Sequence, residues 1–284
     1  MTTALAQRPN WCIYILGKNA ERGHQATKKL GHSNVVYHQC DVSKYQDLAN
    51  VFHSIYSKHG HVNHVFANAG VPSNENMMAK KEKQQPSGIP LEPNVSAVDV
   101  NFTSVVYTAY LALHYFRLSP GAGKGTSLVI NGSIASLHPA TINMALYSAT
   151  KRMTTQPPIF YACNVEDNIS PDGILGLTRC LAKDCWKEGI RVNILCVGPT
   201  HTNILSEEIT AGLFKPEHLC PMDLVVKNTL SLMDGSKIVG SDGSFVSGDE
   251  VHGLAIEVVS SSVYVRPQLE CKDDTVRAAL FLDT

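Results

Sequence analysis

Short unbroken apolar runs that end in turn residues alternate with amphipathic stretches along most of the chain, and this alternation restricts the fold more than any other feature. Trp11 to Leu16 is such a run, closed by Gly17-Lys18-Asn19, and predicts a strand buried on both faces. Asn19 carries the side chain to cap a helix that stops at Gly31, where a left-handed backbone costs glycine nothing. Asn34 to Gln39 predicts a second strand. Ser43-x-x-Gln46 reads as a capping box for a helix with an apolar stripe of Leu48, Val51, Phe52 and Ile55. Val62 to Ala67 predicts a third strand. Strands and helices in strict alternation, with short connections, imply a parallel sheet covered by helices on both faces.

The alternation continues past a polar, Pro-bearing loop from Asn68-Ala69-Gly70 to about Pro93. A long helix follows, with Val98, Phe102, Val105 and Ala109 on one side, and Gly121 to Gly125 ends it. Ser127 to Ile130 is a short buried strand leading into Asn131-Gly132-Ser133. Gly173 to Trp186 is helical, Ile190 to Val197 is a buried strand and Met222 to Met233 is amphipathic. Gly240 to Glu250 reads as a Gly/Ser/Asp-rich loop, and Leu254 to Val259 as the last strand. The fold class is α/β, a Rossmann-like doubly wound parallel sheet in one domain over 1–284, with 260–284 as a C-terminal extension.

Composition excludes several kinds of partner. Lys+Arg 24 against Asp+Glu 25 leaves no basic surface for nucleic acid. No apolar run is long enough to cross a bilayer, so no membrane partner is expected, and the start of the chain lacks the apolar core of a signal peptide. The eight cysteines form no C-x-x-C pair and no zinc spacing with histidine, so no metal is expected. They read as buried thiols of a reducing compartment, which makes the cytoplasm the expected location.

Chemistry enters with Tyr147-Ser148-Ala149-Thr150-Lys151. A helical step of four residues puts a phenol and an ammonium on one face. A free tyrosine titrates near ~10, and bringing it to neutrality takes about 4 kcal/mol, which a nearby fixed cation can supply. Asn68-Ala69-Gly70, Asn101, Ser133, Tyr147-x-x-x-Lys151 and Gly198-x-x-x-Thr202 follow one another in the chain, each at a predicted strand end or on the next helix.

This set resembles the short-chain dehydrogenase/reductase family over roughly Trp11 to Val259. The resemblance implies interconversion of a secondary alcohol and a ketone with a nicotinamide cofactor. Under it, Tyr147 exchanges a proton with the substrate oxygen, and Lys151 depresses the tyrosine pKa and holds the nicotinamide ribose. Ser133 hydrogen-bonds the carbonyl oxygen, and Asn101 holds a relay water. Asp41-Val42 resembles the pair at the adenine, Asn68-Ala69-Gly70 the turn at the adenosine ribose, and Thr202 after Gly198 the contact to the carboxamide. Lys18 stands at the end of the first strand, where NAD-preferring members carry an acid, so NADP is expected rather than NAD. The resemblance also implies a homodimer or homotetramer through the helix bearing Asn101 and the helix after Lys151. The substrate pocket would draw on Leu137, His138, Asn143, Met144 and residues 204–219, with His138 expected to be an ordinary loop histidine.

Two departures from the family pattern stand out. The family opens with a strand and a Gly-rich turn, T-G-x-x-x-G-x-G, that cradles the pyrophosphate. This sequence contains neither, and Ala4 to Arg8 resembles the end of the helix that would follow. The missing strand is central in the family sheet, between the first and third strands predicted here. Its loss removes roughly 6–12 kcal/mol of apolar burial and leaves both neighbours with unpaired backbone groups. The second departure is an insertion at 152–172, whose prolines cannot continue the Tyr147 helix. A start partway into an ordinary reductase, with an intron read through as the insertion, would account for both. The alternative is a pseudoenzyme or non-redox binding protein that has lost its dinucleotide.

Overall fold

The computed structural model describes residues 1–73, 88–138, 145–152, 173–202, 204, 207–268 and 273–279. A short helix α1 (Thr2–Ala6) precedes strand β1 (Ile13–Gly17), α2 (Ala20–Leu30), β2 (Val35–Gln39), α3 (Tyr45–His59) and β3 (His64–Ala67). Asn19 caps α2 through its side chain, which accepts from the Arg22 amide, and Gly31 ends it at φ 66°. The expected capping box at Ser43 does not form. The Ser43 hydroxyl donates to Asp41 Oδ1 at 2.7 Å instead. The hydroxyl is turned toward that carboxylate, and α3 starts at Tyr45 with Lys44 at its N-cap position and no side-chain cap.

The helix that carries Asn101 is composite. Ser96–Val98 (α4) passes through a π turn, Asp99–Thr103, into α5 (Ser104–Leu118). A single extra residue per turn of this kind is commonest at functional positions, and Asn101 lies within it. There follow β4 (Ser127–Asn131), α6 (Ala145–Arg152), α7 (Gly173–Cys185), β5 (Arg191–Val197), α8 (Glu207–Leu213) and α9 (Met222–Asp234). The segment expected to be loop after Gly240 instead supplies one strand of a small hairpin, β6 (Ile238–Val239) with β7 (Phe245–Val246), and a 3-10 turn at Gly248–Glu250. Nor is β8 (Ala255–Val259) the last strand. A tight turn at Ser260, with φ 51°, sends the chain back as β9 (Ser262–Arg266), antiparallel to β8. A last helix, α10, spans Asp274–Ala279.

The strands order as β3-β4-β5-β8-β9, parallel except for β9, with β1-β2 as a separate parallel pair. Alternation along each strand sends side chains to two cores. Leu128 and Ile130 of β4 and Val192 and Ile194 of β5 face Leu48, Phe52, Phe116 and Ile174 of α3, α5 and α7. Val129 and Leu195 face the other way, toward Leu5, Leu232 and Met233 of α1 and α9. Helices on both faces of a mainly parallel sheet make this a doubly wound α/β fold.

β1 and β3 are not hydrogen-bonded to each other. A slot of about 650 Å³ separates them, lined by residues of both strands and of the helices above and below. For that reason β1, expected to be buried on both faces, is only half-buried along its length. The thiols are also mixed: Cys40, Cys185, Cys196 and Cys220 are buried, whereas Cys12 and Cys180 are exposed.

Candidate active site

The carboxyl end of β4 and the loop after β3 converge on Lys151, in the last turn of α6. It is 4% exposed, and its Nζ donates to the Asn131 carbonyl at the end of β4, 3.2 Å away. Burial pushes its pKa down to about 8, slightly opposed by the nearby Cys196 thiol. One turn earlier on α6, Tyr147 is partly buried. Its pKa is raised by burial, while a hydrogen bond with Ser133 works the other way. Desolvation of the phenolate outweighs that hydrogen bond, and the Lys151 ammonium is directed at a backbone carbonyl.

Asn101 ties three segments together. It is fully buried, its Oδ1 accepts from the Val71 amide at 2.8 Å, and its Nδ2 donates to the Val71 carbonyl at 2.9 Å and to Thr150 Oγ1 at 3.1 Å. The π turn, the loop after β3 and the Tyr147 helix are thus locked to one another. Gly70 lies close to this group: a Cβ built on it would stand 3.4 Å from Asn101 Oδ1 and 3.8 Å from Lys151 Nζ, in ordinary contact with both. Asn68 accepts from Asn131 Nδ2 at 3.0 Å, joining the ends of β3 and β4. Ser133 is buried and caps the 3-10 turn Ile134–Ser136, so it serves local structure as well as facing Tyr147.

The remaining expected residues lie further out. Lys18 and Asp41, at the ends of β1 and β2, pair with each other at 2.9 Å, with the Lys18 side chain 81% exposed. Asp41 sits below the usual carboxylate range because of Ser43 first and Lys18 second. Val42 lies partly buried beside them. Ala69 lines the slot with Asn68. Gly198 is packed closely, its would-be Cβ 3.0 Å from Cys220 Sγ and 3.3 Å from the Val258 carbonyl. Thr202 is exposed, its hydroxyl accepting from the Ile204 amide at 3.4 Å, and it makes no hydrogen bond to the Tyr147 group among the described residues. Asn143, Met144 and the 153–172 part of the insertion lie outside the described residues.

Three contributors are not legible in the motifs. Thr150 links Asn101 to α6, and the Asn131 carbonyl holds Lys151; a backbone acceptor leaves no trace in residue identity. Glu257, 3% exposed on β8, is paired with Arg266 and accepts from His138 Nε2 at 3.2 Å, so the loop after Ser133 is anchored to the sheet. His138 is thus a tethered loop residue. Among the described residues no cluster of three or more potential ligands could hold a metal ion.

A buried lysine and a tyrosine thus lie on one helix at the carboxyl ends of the strands of a doubly wound sheet, where α/β folds bind their ligands. The short chain dehydrogenase family model matches residues 1–156. The short-chain dehydrogenase/reductase prx7 of Penicillium rubens is 33% identical over 286 residues, covering 98% of this chain and 92% of its own. The 15-hydroxyprostaglandin dehydrogenase (NAD+) of Rattus norvegicus is 24% identical over 258 residues, covering 88% and 82%. Among solved structures, the 3-ketoacyl-(acyl-carrier-protein) reductase from Brucella melitensis complexed with NADH shares the fold, with a TM-score of 0.63 at 17% identity over 87% of this chain and 86% of its own. The chain belongs to the short-chain dehydrogenase/reductase family of NAD(P)-dependent oxidoreductases.

The residues fit a nicotinamide dinucleotide unevenly. At one end Lys151, Tyr147, Asn131 and the small Gly70 form a closely packed polar group where a ribose and ring could rest. At the other, Lys18 and Asp41 offer charged contacts for an adenosine end. Between them, among the described residues, no glycine-rich turn presents N–H groups to a pyrophosphate.

Proposed function

We propose that the chain interconverts a secondary alcohol and a ketone using NADP. The observation that carries this reading is the buried Lys151, held beside Asn131, Gly70 and Asn101 on the same helix as Tyr147. A cation is kept out of water there at a cost that structure alone would not select. When bound, the nicotinamide supplies or accepts the hydride. Tyr147 Oη passes the proton to or from the substrate oxygen, and Ser133 Oγ donates to that oxygen as charge develops on it. Lys151, close to half-protonated near pH 8, can return a proton to Tyr147 and hold the ribose hydroxyls. Asn101 positions Lys151 indirectly, through Thr150 and the loop after β3.

NADP is proposed over NAD because Lys18 presents its ammonium at the end of β1. An ion pair this exposed is worth only ~0–1 kcal/mol, so Asp41 can be exchanged for a 2′-phosphate. Asp41 and Val42, Asn68 to Gly70, and Gly198 with Thr202 complete the proposed cofactor contacts. A small-molecule substrate, association through α5, which exposes Tyr110 and Leu118, and a cytoplasmic location consistent with the free thiols belong to the same proposal.

Tyr147→Phe tests it. Turnover of a panel of ketones with NADPH should fall at least a thousandfold with the thermal midpoint moved by less than ~2 °C, and retained turnover would refute the assignment. A second reading, a binding protein without redox activity, is favoured by the open slot between β1 and β3. Titration with NADPH, read by nicotinamide fluorescence, separates the two: saturable binding supports the reductase, and none up to millimolar supports the binding protein.

A further inference from the structure

We infer that His138 selects substrates carrying a second, remote hydroxyl group, from which its Nδ1 accepts a hydrogen bond. The inference rests on the proposed reduction of a ketone at Tyr147 and names a feature of the substrate taken there. It is carried by the way Glu257 holds the imidazole. The Glu257 side chain is 4% exposed, and its Oε2 accepts from both Nε and Nη2 of Arg266. A carboxylate paired with a guanidinium is an acceptor only. Its other oxygen, Oε1, lies 3.2 Å from His138 Nε2. That nitrogen must therefore carry the proton, and in the neutral ring Nδ1 is left as a bare acceptor. Among the described residues nothing donates to Nδ1, and the His138 side chain is 57% exposed. Anchoring the loop uses one edge of the ring, and the other edge stays open to a ligand.

The placement brings this acceptor within reach of the reacting centre. Glu257 is aligned with Cys196 on β5, and Leu195 of β5 with Asn131 on β4. Two strand spacings, about 10 Å, thus separate Glu257 from the end of β4 that holds Lys151. Aligned residues of neighbouring strands point to one face, and the Cys196 thiol is close enough to Lys151 to act on its charge. Lys151, Cys196 and Glu257 therefore share one face at the carboxyl end of the sheet. The chain gives the same measure. Ser133 caps the turn Ile134–Ser136 and the His138 amide donates to the Ile134 carbonyl, so Ser133 and His138 belong to one hydrogen-bonded unit. At the rise of a 3-10 turn, five residues put them about 10 Å apart. A substrate oxygen held by Ser133 and Tyr147 then leaves room for roughly six to eight bonds of extended chain, at ~1.2 Å each, before His138 is reached. A hydroxyl there meets Nδ1 as a donor, whereas a carboxylate brings acceptors only.

The probe is 8-hydroxyoctan-2-one, with octan-2-one and 7-oxooctanoate as controls. Long-range nitrogen-15 spectra of the histidine-labelled chain, with His138→Gln to assign the signal, should show a protonated Nε2 and a bare Nδ1. Titration with the hydroxyketone in the presence of NADP, so that the ketone is not reduced, should move the Nδ1 resonance saturably, and octan-2-one should not. In assays with NADPH the hydroxyketone should exceed octan-2-one about fivefold in kcat/KM, through KM, as one added hydrogen bond allows, with the acid no better than octan-2-one. His138→Gln keeps a donor for Glu257 and removes the acceptor, and should bring that ratio to about one. A proton on Nδ1 instead of Nε2, an Nδ1 resonance unmoved by the hydroxyketone, the same ratio in both proteins, or a preference for the acid would each overturn the inference. Absence of turnover with every ketone would instead refute the reductase reading, and the Nδ1 resonance would still decide the role of His138.

Discussion

Replacing Lys151 by methionine should make the protein more stable and inactive at once. The side chain is almost wholly buried and its pKa lies at about 8 rather than the ordinary 10.5. Because burial lowers the folded-state pKa below the unfolded one, the unfolded state holds more protons between those values, and stability rises with pH through that window. Below pH 8 the charged form carries the whole penalty, about 3 kcal/mol. Methionine has a similar shape and no charge. Its cost is the hydrogen bond to the Asn131 carbonyl, about 1 kcal/mol, so Lys151→Met should gain about 2 kcal/mol at pH 7, or roughly 4 °C in the midpoint. By pH 9.5 the wild type should have recovered about 2 kcal/mol relative to the variant. Urea unfolding of both proteins at pH 7 and 9.5 isolates this difference, since all other titrating groups are shared. A difference that does not change with pH would show that Lys151 carries no burial penalty, and the account of the site as a deliberately desolvated cation would be wrong.

Asn101→Ala leaves the half-buried amide and carbonyl of Val71 without their side-chain partner and should cost about 1–3 kcal/mol, read as a fall in the urea midpoint; a loss well below ~1 kcal/mol would mean that water replaces the side chain. Arg266→Met strips the buried Glu257 carboxylate of its guanidinium, and an uncompensated buried charge should destabilise by about 3–5 kcal/mol. Because His138 also contacts Glu257, hydrogen exchange in residues 134–138 should quicken in that variant. Asn19→Ala removes one N-cap hydrogen bond and should cost only about 1 kcal/mol, checked by the same unfolding series.

Helix α2 and strands β4 and β5 follow directly from local chemistry. Asn19 and Gly31 bound α2 because a side-chain acceptor and a left-handed glycine act within a few residues. The runs at 127–131 and 191–197 are strands because apolar side chains on both phases need a core on both sides. Where competition came from farther away, local reading went astray. Ser43 turns its hydroxyl to the Asp41 carboxylate, and the helix begins after Lys44 instead. The turn at Ser260 that returns β9 carries no glycine, so nothing local announced another strand.

The candidate site divides in the same way. Tyr147, Lys151, Ser133 and Asn101 are recognisable from type, order and position at strand ends, because the chemistry demands a proton donor, a cation and polar neighbours whatever surrounds them. Whether the tyrosine lies above or below its ordinary pKa is a balance of desolvation against direct partners, and only the packing decides it. The pairing of Lys18 with Asp41, the grip of Asn131 on Lys151 and the link from Glu257 to His138 join residues far apart in the chain. The sequence by itself determined an α/β alternation, the strand ends and the residue types gathered there, since these are local consequences of periodicity, capping and chemistry. Only the tertiary structure decided that Lys151 is turned to the Asn131 carbonyl and that Glu257 holds both His138 and Arg266, because such contacts join segments far apart in the chain and are written in none of them alone.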